Sequence, residues 1–272
     1  MTRILIALSV LLIQTLFATA QTGLSVGPPR LYFVANGGQS QSLTVDVTNP
    51  SKDYTLELAA SMEDWDYSEY GDNVLYPKGT LAKSCANWLS VSEPFFALKP
   101  GETKTLQVNM LVPRELTYTG SLPVHTAMLF VTQLNPKEGN QRDGANIRIA
   151  LRSGVKVYHR FNGMDRPDLE IRDLQYIKTD SVGSFLELGY EITGNIWLEG
   201  QMRAELLNQE TGKKVSLANS SFYALPGDMR KSYIEIPKDL PKGNYLASIM
   251  LFYGNQQLVK AGELEFSYEP PH

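Results

Sequence analysis

The stretch that decides the fold lies near the middle of the chain, where residues 147–160 read IRIALRSGVKVYHR. Apolar side chains alternate with polar ones through Ile147, Ile149 and Leu151, and a period of two is typical of a β-strand with one apolar face. Lys156 follows five residues after Leu151 and therefore lies on the opposite face. At a sheet edge, such a strand can lend its apolar side chains to the core of another protein while the lysine holds an anionic group.

The same alternation extends over the rest of the chain, for instance in residues 43–48, 106–110, 185–188 and 245–251. Turn sequences such as Lys99-Pro100-Gly101 separate these segments. Short strands separated by a turn about every 8–12 residues are typical of all-β sandwiches. We therefore predict an all-β fold with two immunoglobulin-like β-sandwich domains in tandem.

Residues 1–20 are predicted to be a cleaved signal peptide. Arg3 supplies a positive start, residues 4–17 form an apolar run, and Ala18-Thr19-Ala20 is a small-residue cleavage site. The mature chain would begin at Gln21 and be exported to the periplasm. No later stretch approaches the roughly 20 apolar residues that a membrane-spanning helix needs, so no membrane span is expected.

The length that remains, about 250 residues, fits two domains of ordinary size. Asn162-Gly163 and Pro167 fall between two strand patterns, which is typical of a linker. The sequence thus predicts one domain over residues 21–161 and a second over residues 162–268.

Charge and cysteine content exclude several classes of partner. The formal net charge is −4, and removing Arg3 with the signal leaves 24 basic against 29 acidic residues, or −5. Nucleic acids and anionic membranes require clustered Lys and Arg, so neither is a predicted partner.

Cys85 is the single cysteine and allows no internal disulfide. We expect the Cys85 side chain to be buried beside Trp88; the alternatives are a reactive thiol or half of an intermolecular disulfide.

Motifs of catalysis are absent from the sequence: it contains no nucleophile elbow, no phosphate-binding loop and no dinucleotide fingerprint. We therefore predict no enzyme, no cofactor and no metal site. His125 and His159 lie in strand patterns without metal-ligand spacing and are predicted to be structural. Trp197 is predicted to be a core anchor of the second domain. The segment Asp64 to Asn73 is favoured as an exposed strand connection, with an aromatic recognition loop as the alternative.

Five segments resemble one protein family. Residues 29–33 and 41–49 resemble the amino-terminal strands of the periplasmic pilus-assembly chaperones, the PapD-like family. Residues 96–104 resemble the turn before an outer strand of that family, and residues 128–136 resemble the strand that enters its subunit-binding loop. Residues 147–160 resemble its donor strand in residue types and spacing. The resemblance covers most of the first domain, whereas the second domain is only loosely similar.

The resemblance implies a periplasmic chaperone that caps a fimbrial or other self-assembling surface subunit by donating an edge strand. Arg30 and Lys156 would meet in the cleft between the domains and anchor the C-terminal carboxylate of the subunit. Ile147, Ile149 and Leu151 would fill the groove that the incomplete subunit leaves open.

Two further expectations follow from the same resemblance. Arg160 matches an interdomain arginine of the family, but the position of its glutamate partner falls near Val124. An outer-membrane usher-like assembly protein is a second partner that the resemblance allows.

A different class of function stays open at this stage. Residues 87–101 also resemble surface domains that bind peptidoglycan or partner proteins, so a cell-surface structural or adhesive module of immunoglobulin-like domains is the alternative. An enzyme ranks third. Antibody labelling of intact cells would favour the surface module, and co-purification of a short-lived subunit from the periplasm would favour the chaperone.

Overall fold

A computed structural model describes residues 23–118, 120–136, 141–142, 145–146, 148–163, 165–179, 183–254 and 258–270. The predicted signal peptide lies outside the described residues. The described chain is all-β, as predicted. Its first twelve strands are β1 Ser25–Gly27, β2 Arg30–Val34, β3 Ser40–Thr48, β4 Leu56–Tyr67, β5 Asn73–Tyr76, β6 Leu89–Val91, β7 Phe95–Leu98, β8 Thr103–Leu111, β9 Val124–Gln133, β10 Gln141–Arg142, β11 Ala145–Asn146 and β12 Arg152–Arg160.

Eight strands follow in the second half of the chain. They are β13 Glu170–Thr179, β14 Gly183–Glu191, β15 Leu198–Asn208, β16 Lys214–Ser216, β17 Ser220–Ala224, β18 Met229–Glu235, β19 Gly243–Tyr253 and β20 Leu258–Tyr268. A three-residue 3-10 turn spans Ala86–Trp88. Within the described ranges no helix has the length and apolar character that crossing a membrane requires.

The strands form two sandwiches. In the first, the sheet β1-β3-β8-β6 faces the sheet β2-β12-β9-β4-β5, with β7 also paired to β4, while β10 and β11 form a separate two-stranded sheet. In the second, the sheet β13-β14-β18 faces β16-β15-β19-β20, with β17 also paired to β15. No strand within the described ranges is shared between the two sandwiches. The prediction of two tandem sandwich domains is confirmed, and the boundary at 161/162 stays a prediction.

Each sandwich buries its own apolar core. The first includes Phe33, Leu106, Leu129 and Val157, and the second includes Tyr190, Leu206, Ile249 and Tyr268. Alternation along the strands produces both cores, because successive side chains point to opposite faces of a sheet.

β9 departs from simple alternation, since nearly every side chain on it is buried. Its residues Ala127, Leu129 and Val131 belong to the core of the first domain. Met128 and Phe130 point the other way and pack with Trp65 and other groups in a third apolar cluster. The outer face of this sheet is therefore apolar where it meets the second domain.

The strand of residues 147–160 is shorter than predicted. It begins at Arg152, and residues 148–151 precede it without strand structure. The carbonyl of Leu151 accepts from the amide of Gln133 on β9 (2.8 Å), which holds the end of this stretch next to that strand.

Candidate functional site

Arg30 and Lys156 are brought together by strand register. β2 and β12 run parallel, and Arg30 is the direct partner of Lys156 at the start of their ladder. Neighbouring strands lie about 4.8 Å apart, so the two side chains leave the same face of the sheet side by side. Both line an open pocket of about 380 Å³ together with Pro29, Asn73, Leu75, Met128, Phe130 and Gly154.

The sequence just before Arg30 explains where that ladder begins. The chain leaves β1, in the other sheet, through Gly27-Pro28-Pro29 and enters β2 at Arg30. The carbonyl of Pro29 accepts from the amide of Lys156 (3.0 Å), but proline has no N–H to donate. Among the described residues, pairing with β2 therefore covers only Lys156 to Arg160, and residues 152–155 of β12 pair with β9 alone.

Aromatic rings surround the Lys156 ammonium. Its Nζ lies 4.3 Å from the ring centroid of Trp65 and 4.2 Å from that of Tyr67, and it donates to the Tyr67 hydroxyl (2.9 Å). Such cation–π contacts stabilise the charged form, but burial and repulsion act against it. Burial first, then the charges of Arg30 and Arg230, lower the pKa of Lys156 to about 8.

Arg30 is held mainly by the second domain. Its guanidinium carbon lies 4.3 Å from the ring centroid of Tyr223, and its Nε lies 3.8 Å from Oε1 of Glu199. The same carboxylate oxygen accepts from the Tyr32 hydroxyl (2.5 Å). Burial tends to lower the pKa of Arg30, but the Glu199 carboxylate and nearby tyrosines outweigh burial and raise it. Nε of Arg30 is buried without a hydrogen-bond partner in the described part of the chain.

The predicted donor residues lie just ahead of the uncovered strand edge. Ile149 is 72% exposed, an unusual state for an isoleucine, and Leu151 is half-buried. Ile147 lies outside the described residues. Two of the three predicted apolar anchors thus adjoin an unpaired edge, although neither lies in a strand in this structure.

Arg160 occupies the far end of the same face of β12. Its Nη1 lies 3.2 Å from Oδ1 of Asp165, in the connection between the domains, and 3.2 Å from the carbonyl of Phe161. Val124 is its register partner on β9. An acid in the connection between the domains thus pairs with Arg160.

Trp197 differs from its prediction as a core anchor. It is half-buried and touches the margin of the second core, but its ring stacks on the first domain. The ring centroids lie 5.2 Å from Tyr32 and 5.1 Å from Tyr158. The alternation of β-strands does not reveal which exposed positions another domain will cover, which is why sequence misplaced this side chain.

The segment Asp64 to Asn73 matches the favoured prediction of an exposed strand connection only in its turn, residues 68–72. It is the end of β4 and the turn of the β4–β5 hairpin, and Trp65 within it is fully buried with its Nε1 donating to the carbonyl of Ala127 (2.7 Å). The hairpin turn contacts the second domain, because the carbonyl of Glu69 accepts from the amide of Lys231 (2.7 Å). Trp65 and Tyr67 therefore build the cleft, whereas Tyr70 in the turn is 51% exposed and stacks on Tyr233.

The two histidines and the cysteine are buried. Nε2 of His159 lies 2.9 Å from the carbonyl of Ala35, and its Nδ1 lies 3.3 Å from Nδ1 of His125. Because a carbonyl only accepts, Nε2 of His159 donates and its Nδ1 can accept from a neutral His125. Burial lowers the pKa of both rings, that of His125 to about 4. Cys85 is a fully buried thiol, as favoured from sequence, and burial raises its pKa.

Metal-binding geometry is missing from the parts of the chain that are described, where no three His, Cys, Asp or Glu side chains are grouped to hold an ion.

Sequence reasoning did not identify the residues that hold the Arg30 and Lys156 side chains in place. The sequence did indicate that Trp65 and Tyr67 lie side by side, because positions two apart on a strand share a face. Tyr223, Glu199 and Arg230 carried no such signal, because they reach the site only through domain docking.

No protein-family model matches the sequence, and no curated protein matches it. Solved structures similar to the chain include the YadV chaperone, at 10% identity and a TM-score of 0.48, covering 89% of this chain and 99% of that one. The Escherichia coli chaperone DraB follows at 14% identity and a TM-score of 0.47, covering 92% of this chain and 97% of that one.

A third similar structure is the Salmonella enterica SafA pilin in complex with the SafB chaperone, at 13% identity and a TM-score of 0.43, covering 92% of this chain and 99% of that one. Each of these three structures contains a chaperone, and each alignment covers about nine tenths of this chain.

Proposed function

We propose that this protein is a periplasmic chaperone that holds an exported fimbrial or other self-assembling surface subunit until assembly. One observation carries the proposal. Arg30 and Lys156 stand side by side in one pocket, directly beside the stretch of β12 whose outer edge β2 leaves unpaired. A pair of cations next to an open strand edge suits a chain that ends in a carboxylate and needs one more strand.

The pocket suits a terminal carboxylate for chemical reasons. A guanidinium and an ammonium form charge-assisted hydrogen bonds with a carboxylate, and these are stronger than bonds between neutral groups. Partial burial reduces screening by salt. The carboxylate would set the register of the subunit strand against β12, since the cations lie at the end of the unpaired edge.

Side chains before β12 supply the second half of the interaction. Ile147, Ile149 and Leu151 would enter the open groove of the subunit while the backbone of residues 152–155 completes its sheet. At about 1.5–3 kcal/mol per fully buried aliphatic side chain, three anchors contribute on the order of 5–9 kcal/mol before ordering costs. Residues 148–151 would become strand only on binding. No catalytic step is part of this function, and an outer-membrane usher-like protein would receive the loaded chaperone.

The test is a capture experiment followed by a peptide measurement. A tagged chain is recovered from the periplasm, and the captured protein is identified by mass spectrometry. Peptides of its last residues are then synthesised with a free carboxylate and with a C-terminal amide. We expect the free acid to bind at least tenfold more tightly than the amide, since hydrogen bonds to charged groups contribute about 1.5–3 kcal/mol.

Variants connect that difference to the pocket. Arg30→Ala and Lys156→Ala should each abolish most of the preference for the free acid. Lys104→Ala, a lysine of the same domain that pairs with Glu93 far from the pocket, should keep it. Equal binding of acid and amide by the unmodified protein contradicts the carboxylate anchor, and labelling of intact cells by antibody favours a surface module instead.

A further inference from the structure

Lys156 is hydrogen-bonded to Tyr67, and a residue of the second domain packs on the Tyr67 ring. Tyr67 accepts a hydrogen bond from Lys156, and the guanidinium carbon of Arg230 lies 4.9 Å from the centroid of the same Tyr67 ring. Arg230 is on β18 of the second domain and is only 6% exposed. A buried arginine from one domain thus lies on the tyrosine that orients the lysine of the other.

Arg230 is itself held in place. Its Nη1 donates to the carbonyl of Tyr223 (3.0 Å) and lies 3.7 Å from Oδ2 of Asp228. Asp228 in turn accepts from the amide of Leu225 (2.8 Å). The guanidinium therefore has a fixed orientation when it meets the first domain.

The first domain is shaped to receive it. Gly71, at the tip of the β4–β5 hairpin, has a φ of 96°, and a Cβ added there would lie 2.2 Å from Nη2 of Arg230. Only glycine leaves this space, and its positive φ is one that other residues rarely adopt. Tyr223 completes the arrangement, because its carbonyl holds Arg230 while its ring packs on Arg30.

We propose that Arg230 is a positioning residue for the anion pocket: by fixing Tyr67 it holds Lys156 beside Arg30, so that the pocket of the first domain is complete only when the second domain is docked. The existence of an anion ligand rests on the proposed function, but the coupling between Arg230 and Lys156 does not. The second domain then contributes to binding without touching the ligand.

Titration of Lys156 provides a readout that a merely structural role would not move. The charged and titratable groups around its ammonium are Arg30 on β2, Tyr67 on β4, Tyr158 on β12, Glu199 on β15 and Arg230 on β18. Burial and the two arginines lower the pKa of Lys156 to about 8, while Glu199 acts in the opposite direction. A lysine that leaves its contacts with Trp65 and Tyr67 becomes hydrated again. Its pKa then returns toward the ordinary value of about 10.4.

The decisive variants are Arg230→Met and Arg230→Lys, with Lys231→Met as the matched control. Lys231 is the next residue on β18, and its ammonium pairs with Glu69 at 3.7 Å without reaching Tyr67. NMR of the Lys156 side chain against pH in the full-length protein should show its pKa raised by about one unit or more in both Arg230 variants. Lys231→Met, which removes the same charge, should leave it unchanged.

Arg230→Lys separates position from charge, because an ammonium keeps the charge but lacks the planar fork that packs on a ring. An unchanged Lys156 pKa in folded Arg230→Lys overturns the proposal, and so does an unchanged pKa in folded Arg230→Met. Should an Arg230 variant fail to fold, Gly71→Ala displaces the guanidinium from the first-domain side. A raised Lys156 pKa in that variant supports the proposal, and an unchanged pKa overturns it.

Acetate serves as the simplest carboxylate probe of the pocket. We expect its affinity, followed through the same Lys156 signals, to fall several-fold in Arg230→Met and to stay the same in Lys231→Met. Acetate affinity that is equal in all three proteins overturns the positioning role. Failure of acetate and of the subunit peptide to perturb Lys156 in the unmodified protein contradicts the proposed function, while the pKa comparison still tests the coupling.

Discussion

Lys156 on β12 lies directly opposite Arg30 on β2, at the first rung of the only parallel ladder within the described residues. The two strands meet because the chain leaves the other sheet at Gly27-Pro28-Pro29 and enters this one at Arg30. Two cations so placed repel each other, and the repulsion contributes to the lowered pKa of Lys156. A negatively charged ligand between them would relieve it.

Replacing Arg30 should raise the pKa of Lys156. In Arg30→Gln the repelling charge is gone while a polar side chain remains, so we expect the pKa to move from about 8 toward its ordinary value. NMR titration of the Lys156 side chain measures it without any ligand. Arg160→Gln is the control, since Arg160 lies on the same face of β12 but pairs with Asp165. An identical shift in both variants would show that the effect is not local to the pocket.

Carboxylate binding should weaken as the pH rises through about 8. The pKa of Lys156 is lowered to about 8 in the unliganded protein, so the ammonium is present below that pH and lost above it. A carboxylate binds the charged form, and affinity for a free-acid subunit peptide should therefore be constant below about pH 7 and fall above 8. Isothermal titration at several pH values measures this. Lys156→Arg, whose side chain stays charged, should show a flat profile over the same range.

An acid at the exposed isoleucine should abolish subunit capture. Ile149→Asp places a charge where we expect an apolar groove to close, so desolvation of the carboxylate opposes binding. We expect capture to fall more than tenfold, as measured by co-purification. Phe95→Asp is matched in exposure, since both side chains are 72% exposed, but Phe95 lies on β7 away from β12. Retained capture in Ile149→Asp would argue against strand donation by this segment.

The buried histidine pair should make the fold sensitive to acid. The pKa of His125 is lowered to about 4 and that of His159 is also lowered, so between about pH 6.5 and 4 the unfolded chain binds more protons than the folded one. The free energy of unfolding should therefore fall as the pH falls through this range, by about 1.4 kcal/mol per pH unit for His125, and His159 acts in the same direction. Urea unfolding at pH 7, 6 and 5 measures the slope. His125→Gln should have a shallower slope than the unmodified protein.

Truncating Trp197 should loosen the junction of the domains. Its ring stacks on Tyr32 and Tyr158, and aromatic pairs contribute about 0.5–1.5 kcal/mol each beyond the area they bury. Calorimetry of Trp197→Ala should therefore show the two domains melting as more widely separated transitions. Phe252→Ala is the control, because Phe252 is half-buried in the same domain and packs on Arg203. Equal effects of the two variants on the separation of the transitions would show that Trp197 has no specific role at the junction of the domains.

Strand patterns were readable from sequence because each strand buries one face. Residues 43–48, 106–110 and 245–251 alternate in sequence and lie in β3, β8 and β19. The start of β12 was not readable, since Ile149 and Leu151 continue the alternation although the strand begins only at Arg152. Trp197 was misplaced for a related reason: a large aromatic side chain signals burial, but not whether its own core or another domain covers it.

By itself, the sequence determined the all-β class and the two sandwiches, because alternation and turn residues are local properties. It indicated Arg30 and Lys156 as a pair only through the resemblance to a family, since each charge alone looks like an ordinary solvated side chain on a strand. Only the tertiary structure decided that Pro28-Pro29 ends the β2 ladder at Lys156, that Tyr67 cages its ammonium, and that Arg230 holds Tyr67 from the other domain. These contacts join residues more than 80 positions apart, and their geometry depends on how two sheets and two domains pack, which no local pattern encodes.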